Sequence, residues 1–358
     1  MNARVSTALA GAMLLAFAGA AAAAPQYSFS LLGGAGSSAT AINSAGQITG
    51  SDFFGTSVAH ALVWSGSSAT DIGTSGNASL GYAINDLGQV AGSQDSNGNS
   101  LATKWNGAQP ATLPTLGTNN TQAFGINSAG TVVGYAVGTN QVQQAVAWNG
   151  THVASLSSLG GLSSAAYAIN TAGTVAGYSS FNNGNQHAVS WSSSGAITDL
   201  GTVGGTQSGA NAINDAGVVA GFATTVDEAS HAVLWKGGAV TDLGTAGMVG
   251  AVALGLNNVG QTVGFAYVDE SHAILWNGGT AIDLNNYLSA SLVKQGWVLE
   301  EATGINDKGQ IVGDAFNNLT DVNQAFVLTS AVPEADAYAM LLAGLALVGW
   351  TARRRKAA

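Results

Sequence analysis

The chain has no cysteine in its 358 residues, which excludes disulfides, thiol catalysis and cysteine-bound metals together. Proline is also scarce, with four residues, and Asp, Glu, Lys and Arg together make up only 8% of the sequence. That small charge is lopsided. Between residues 25 and 332 there are 17 Asp and Glu, four lysines (Lys104, Lys236, Lys294, Lys308) and no arginine, a net charge of −13. A basic groove for nucleic acid, or an arginine clamp for a phosphate or a substrate carboxylate, cannot be assembled from this inventory. There is no Gly-x-Ser-x-Gly nucleophile elbow and no phosphate-binding loop outside the repeated turns described next.

Glycine, by contrast, is abundant, at 50 residues in a 46% hydrophobic composition that favours packed β-structure over disorder. The glycines fall in register. An apolar residue, Asn, two residues, Gly, three residues, Gly recurs seven times, with its Asn at Asn43, Asn85, Asn127, Asn170, Asn214, Asn257 and Asn306. The first Gly follows the Asn by three residues (Gly46, Gly88, Gly130, Gly173, Gly217, Gly260, Gly309). The second comes four residues later (Gly50, Gly92, Gly134, Gly177, Gly221, Gly264, Gly313). Such spacing predicts a hairpin in which Asn opens the turn through its side chain and the first Gly takes positive φ.

Each copy divides into four short strand candidates, in the fourth copy 165–170, 174–179, 187–191 and 196–200, separated by Gly, Ser and Asn. The third strand carries an aromatic anchor: Trp64, Trp105, Trp148, Trp191, Trp235 and Trp276, with Leu328 in that slot in the seventh copy. The fourth tends to end in Asp-Leu-Gly, as at Asp199-Leu200-Gly201 and Asp242-Leu243-Gly244, with Asp71-Ile72-Gly73, Leu116-Gly117 and Leu159-Gly160 read as variants. Seven four-stranded units of about 43 residues match a propeller blade better than a helical repeat. The expected fold is therefore an all-β, seven-bladed β-propeller, with a β-solenoid as the alternative. Ring closure is written in the ends: the seventh copy lacks a fourth strand, and a spare strand at 27–32 precedes the first copy and can complete it.

These motifs resemble the HAF family of bacterial extracellular repeats, in which Ile-Asn-x-x-Gly-x-Val-x-Gly is followed by His-Ala-x-x-Trp and Asp-Leu-Gly. The fifth copy shows all three parts, at 213–221, at His231-Ala232 with Trp235, and at Asp242-Leu243-Gly244. Leu101, Gln144 and Gln324 depart from the His. The resemblance implies a secreted repeat protein without an assigned activity.

The two ends read as addresses, giving a division into 1–24 signal peptide, 25–331 propeller and 332–358 sorting tail. The first segment has Arg4, an uncharged Ala/Leu run and a terminal Ala tract, as a secretory signal does, so signal peptidase is an expected partner. The last begins Val332-Pro333-Glu334, continues through an uncharged run and ends Arg353-Arg354-Arg355-Lys356. A 16-residue apolar helix flanked by arginines suits a transient inner-membrane anchor with its basic end in the cytoplasm. This tripartite tail resembles the PEP-CTERM signal of Gram-negative bacteria, with Ala335 where that family has a second Pro. The resemblance implies exosortase processing and delivery to the envelope or extracellular polysaccharide.

Three groups of polar residues remain. His60, His187, His231 and His272 recur at one strand position, which reads as packing and hydrogen bonding more readily than as a metal ring, while His152 lies outside the pattern. Asp95 to Ser100 alternates Asp and Asn as Ca²⁺ loops do, but lacks their later Gly and Glu, so an ordinary polar hairpin is expected and no cofactor is assigned. Glu300 and Glu301, in an irregular stretch at 285–303, and Asp314 are the acids on which a carbohydrate-active enzyme would have to rely. The expected function is noncatalytic: a scaffold binding extracellular polysaccharide or another surface partner through the loops of variable length. The alternatives are a propeller hydrolase or lyase and a purely structural matrix protein.

Overall fold

The inner hairpin of every blade is set by its Asn and first Gly. In the computed structural model the seven first glycines take φ between 72° and 89°, a region that costs a residue with a Cβ roughly 1–2 kcal/mol. The preceding Asn accepts, through Oδ1, the backbone N–H four residues on in all seven copies. The structure describes residues 27–53, 57–73 and 77–330. The expected signal peptide and the sorting residues Val332, Pro333, Glu334, Arg353, Arg354 and Arg355 lie outside them. Among the described residues no helix is long and apolar enough to cross a membrane.

Seven four-stranded antiparallel sheets result, and consecutive strands are neighbours in the first six. Blade 1 runs outward through Ser38–Ile42, Gln47–Asp52, His60–Ser65 and Ser68–Asp71. Blade 7 is built from Trp297–Ile305, Ile311–Asn317 and Val322–Ser330, with the N-terminal strand Tyr27–Leu32 outermost. The closing register pairs Phe29 with Leu328 and Leu32 with Ala325. This is the expected closure, and it gives the last sheet its fourth strand and covers the edge of Val322–Ser330.

The core is divided among the blade interfaces. Trp148 packs on Ala91, Ala102 and Leu113 of the preceding blade, Trp105 on Ala61 and Ile72, Trp191 on Val133 and Ala145, and Trp235 on Ala176 and Ala188. Trp276 sits against Ala220 and Ala232, and Trp64 against Val312 and Ala325 across the ring closure. A buried tryptophan removes about 150–250 Å² from water, an upper-limit gain of roughly 4–6 kcal/mol. Blade 7 has the smaller Leu328, and Leu284, Leu288 and Leu299 help fill that interface. Tyr287 also meets Tyr27 edge-on there at 4.9 Å.

Two expectations are corrected. The stretch 285–303 is not irregular throughout: the extra residues form the turn Leu284–Tyr287 and the short helix Ala290–Lys294, and Glu300 and Glu301 lie on the inner strand of blade 7. Asp95 to Ser100, by contrast, is the polar hairpin expected, tight, with Asn97 and Gly98 at positive φ and Asp95 paired with Ser100. Leu116-Gly117 and Leu159-Gly160 fall beyond the fourth strands. The slot is held by Leu113 and Leu156, whose N–H groups bond Ala102 and Ala145.

Candidate functional site on the loop face and central channel

Alternate turns of an antiparallel blade lie at opposite ends, which gives the ring two unlike faces. One carries the Asn turns and the turns after each Trp. The other carries the longer loops after the second and fourth strands. Asp86, Asp215 and Asp307 are on the Asn-turn face with Lys104, Lys236 and Lys308, a balance of zero. The remaining 14 of the 17 acids lie on or toward the loop face, with Lys294 alone against them, so nearly all the net charge of −13 resides there.

On the Asn-turn face the axis is encircled by a ring of bonds the sequence did not foretell. The Nδ2 of each of the seven Asn residues donates to the backbone carbonyl of the corresponding Asn in the next blade, at 2.9–3.2 Å. These amides line a mouth of about 250 Å³, but their donors are committed to holding blades together. The Asn residues expected as structural therefore have a second, inter-blade duty beyond the turn.

Halfway along the axis the second Gly of the motif acquires its reason. In every blade the ladder between first and second strands slips by one residue, leaving Thr40, Tyr82, Phe124, Tyr167, Asn211, Leu254 and Thr303 unpaired. Each lies three residues before its Asn. The bulge brings the strands so close that a Cβ on Gly177 would run into the carbonyl oxygen of Ala165, and Gly50, Gly92, Gly134, Gly221, Gly264 and Gly313 meet the same obstacle. Bulges re-aim side chains, and these seven line one axial cavity of about 240 Å³.

The cavity wall is uneven. Phe124 stands between Tyr82 and Tyr167, with ring centroids 5.2 Å from each and planes inclined at 60° and 58°. Tyr135 and Tyr178 back this row, and burial, with Tyr178 and Tyr135 close by, pushes the Tyr167 hydroxyl up to about 12. On the other side Thr40, Thr303 and Asn211 give their donors to the carbonyls of Gly81, Ala39 and Ala253 in adjoining blades.

Farther out, the two remaining sequence motifs meet. His60, His187, His231 and His272 bond through Nδ1 to Asp71, Asp199, Asp242 and Asp283 at 2.7–2.9 Å. Each Asp also accepts the N–H two residues on, at Gly73, Gly201, Gly244 and Asn285. Where His is replaced by Leu101, Gln144 or Gln324, the Asp slot holds Thr112, Ser155 or Leu31. The pair thus clips the exposed outer strand to its neighbour. Among the described residues no group of three or more His, Asp and Glu is placed to hold a metal ion.

Glu300, Glu301 and Asp314 do come together. They line a pocket of about 520 Å³ at the seam of blades 7 and 1, beside Ser38, Phe53 and Phe265. Glu301 and Asp314 are cross-strand partners. Burial first, then Asp314 and Glu300, raises the Glu301 carboxyl above its ordinary range. Glu300 is raised by burial and by Glu270 and Asp314. Burial also raises Asp314, against the bonds it accepts from Ser38 Oγ at 2.9 Å and Ala39 N–H at 3.1 Å.

This geometry defines a closed β-propeller with one acidic, loop-bearing face. Residues 331–356 match the PEP-CTERM protein-sorting motif. The chain thus carries a recognition signal for exosortase, which marks an exported, surface-sorted protein held transiently at a membrane before sorting. No curated protein matches the chain. Among solved structures it is similar to TolB from Acinetobacter baumannii, at 10% identity and a TM-score of 0.47, over 82% of this chain and 63% of that one. It is also similar to a puromycin-hydrolyzing peptidase of Mycobacterium tuberculosis, at 10% identity and a TM-score of 0.54, over 86% of this chain and 51% of that one. The chain thus spans less than two thirds of either protein. The second likeness is one of fold alone.

Proposed function

We propose that the protein is a noncatalytic, envelope- or matrix-associated scaffold that binds an extracellular polysaccharide or another surface partner on its loop face. The observation that carries this reading is the segregation of charge. A face bearing nearly all of a net −13 repels acidic polymers and attracts those with amino groups. The orientation agrees: Ser330 lies beside Gly309 of an Asn turn, so the chain enters the sorting motif from the opposite face, and the acidic face points away from the attachment. The resemblance of the repeats to HAF extracellular repeats supports the same setting. Exosortase cleavage near Val332 to Glu334 then releases the propeller to the surface or matrix. Retention of the full chain on immobilised amino-bearing, neutral and acidic polysaccharides tests the reading. Selective retention on the first, declining as salt rises, is expected; preference for the acidic polymer would overturn it.

A second reading rests on the Glu301–Asp314 pair. Two adjacent carboxylates with raised pKa values are the equipment of acid/base glycoside cleavage. Release of reducing ends from a polysaccharide panel, abolished by Glu301→Gln, would favour it over the scaffold.

A further inference from the structure

The row of Tyr82, Phe124 and Tyr167 is not explained by holding the blades together. The three other bulge positions that bond across a blade seam are polar, Thr40, Asn211 and Thr303, and those bonds use their donors. The aromatic positions open instead on the axial cavity of about 240 Å³, alongside Leu254. The cavity therefore has an aromatic wall on one side and, on the other, threonines and an amide that give both hydroxyl protons and one amide N–H to carbonyls across the blade seams. A neutral sugar seated there would find few donors for its oxygens, and burying those unmet is costly. An anion would meet aromatic rings and the field of an acidic face. A compact organic cation finds the reverse: the π-systems of the three rings can attract it, and the acids of the loop face raise its local concentration.

We propose that the axial cavity is a binding site for an organic ammonium group, with Tyr82, Phe124 and Tyr167 as its wall. This deepens the scaffold reading and rests on it, since the acidic face that gathers cationic polymers would deliver their ammonium groups to this cavity. Seven equivalent bulges supply the geometry, and the side-chain choice at each sets the chemistry. Three successive blades carry rings, which gives a one-sided cage and not a uniform pore.

The test compares choline with 3,3-dimethylbutan-1-ol, its uncharged carbon isostere, by titration calorimetry on the full chain. Choline is expected to bind at least tenfold more tightly than the alcohol. Phe124→Leu keeps an apolar side chain in place of the ring and should weaken choline by at least tenfold while leaving the alcohol little changed. Circular dichroism confirms that the variant is folded, and Tyr167→Leu is the second variant if it is not. Equal binding of the two probes, or no choline binding by folded protein, overturns the proposal. Retention on amino-bearing polysaccharide is measured in parallel. If retention survives while choline fails, the cavity proposal falls and the scaffold reading stands; if both fail, both fall.

Discussion

The side-chain Nδ2 of Asn306 donates to the backbone carbonyl of Asn43 at 3.0 Å, across a sequence separation of 263 residues. Six equivalent bonds join the other blades in turn, so one side chain per repeat both shapes its own hairpin and grips the next sheet. Both partners are buried. The amide cannot be exchanged for an acceptor without setting oxygen against oxygen in a place water does not reach.

Asn306→Asp tests that duty. The retained Oδ1 still accepts from the Gln310 N–H, while the amide donors to the Asn43 carbonyl and to Gln310 Oε1 are lost. An unmade buried hydrogen bond costs on the order of 1–3 kcal/mol, so the urea midpoint should fall clearly at neutral pH. A midpoint equal to that of the parent chain would mean the ring contributes nothing to closure.

Gly177→Ala tests the bulge. Its Cβ would strike the carbonyl oxygen of Ala165, which belongs to the paired backbone and cannot step aside. Gly195→Ala, in an open turn at φ 87° with nothing near its Cβ, pays only for the left-handed conformation, about 1 kcal/mol. Gly177→Ala should cost at least twice as much by chemical denaturation, and comparable losses would show that the blade relaxes around the bulge.

Much of this architecture was legible because spacing carries it. The Asn and Gly intervals demand one hairpin repeated seven times, and the spare strand Tyr27–Leu32 matched the missing strand of the last blade. What escaped was long-range or masked by local likeness. The acceptor for each Asn amide lies 42–49 residues away, or 263 across the ring closure, and nothing beside the Asn announces it. The His–Asp clip was written in the sequence, since both residues are present in blades 1, 4, 5 and 6 and both missing elsewhere. It was obscured because Leu116 and Leu159, each followed by Gly, imitate a strand end three residues past the true slots at Leu113 and Leu156. Glu300 and Glu301 were placed in a connection because the last Asn interval is longer. The helix Ala290–Lys294 absorbs the surplus before the strand begins.

The tryptophans offer a paired experiment. Trp148 Nε1 donates to Pro114 at 2.7 Å, whereas the buried Trp105 Nε1 finds no acceptor among the described residues. Changing either to Phe removes similar volume from an inter-blade cluster, so the packing loss is shared. Only Trp148→Phe breaks a hydrogen bond and strands a carbonyl. It should be the more destabilising by about 1 kcal/mol in thermal or chemical melts; equal losses would assign no worth to the bond.

The acidic pocket gives the chain a pH dependence of definite sign. The carboxyl of Glu301 is raised above its ordinary 4.5, chiefly by burial and then by Asp314 and Glu300. In the window between its unfolded and folded values the native state holds more proton than the unfolded one, so stability falls as pH rises through it. Below the unfolded value the penalty is absent. Glu301→Gln removes the charge at nearly constant shape, so at neutral pH the variant should melt at a higher temperature than the parent chain. The gain should shrink as pH falls through that window and be absent below the unfolded value, where the parent carboxyl is protonated in both states. Asp314→Asn is a poorer probe, because Asp314 accepts bonds from Ser38 and Ala39 that an amide would keep only in part. A difference between Glu301→Gln and the parent that stays constant from acid to neutral pH would show that the ionised Glu301 carries no strain in the folded ring.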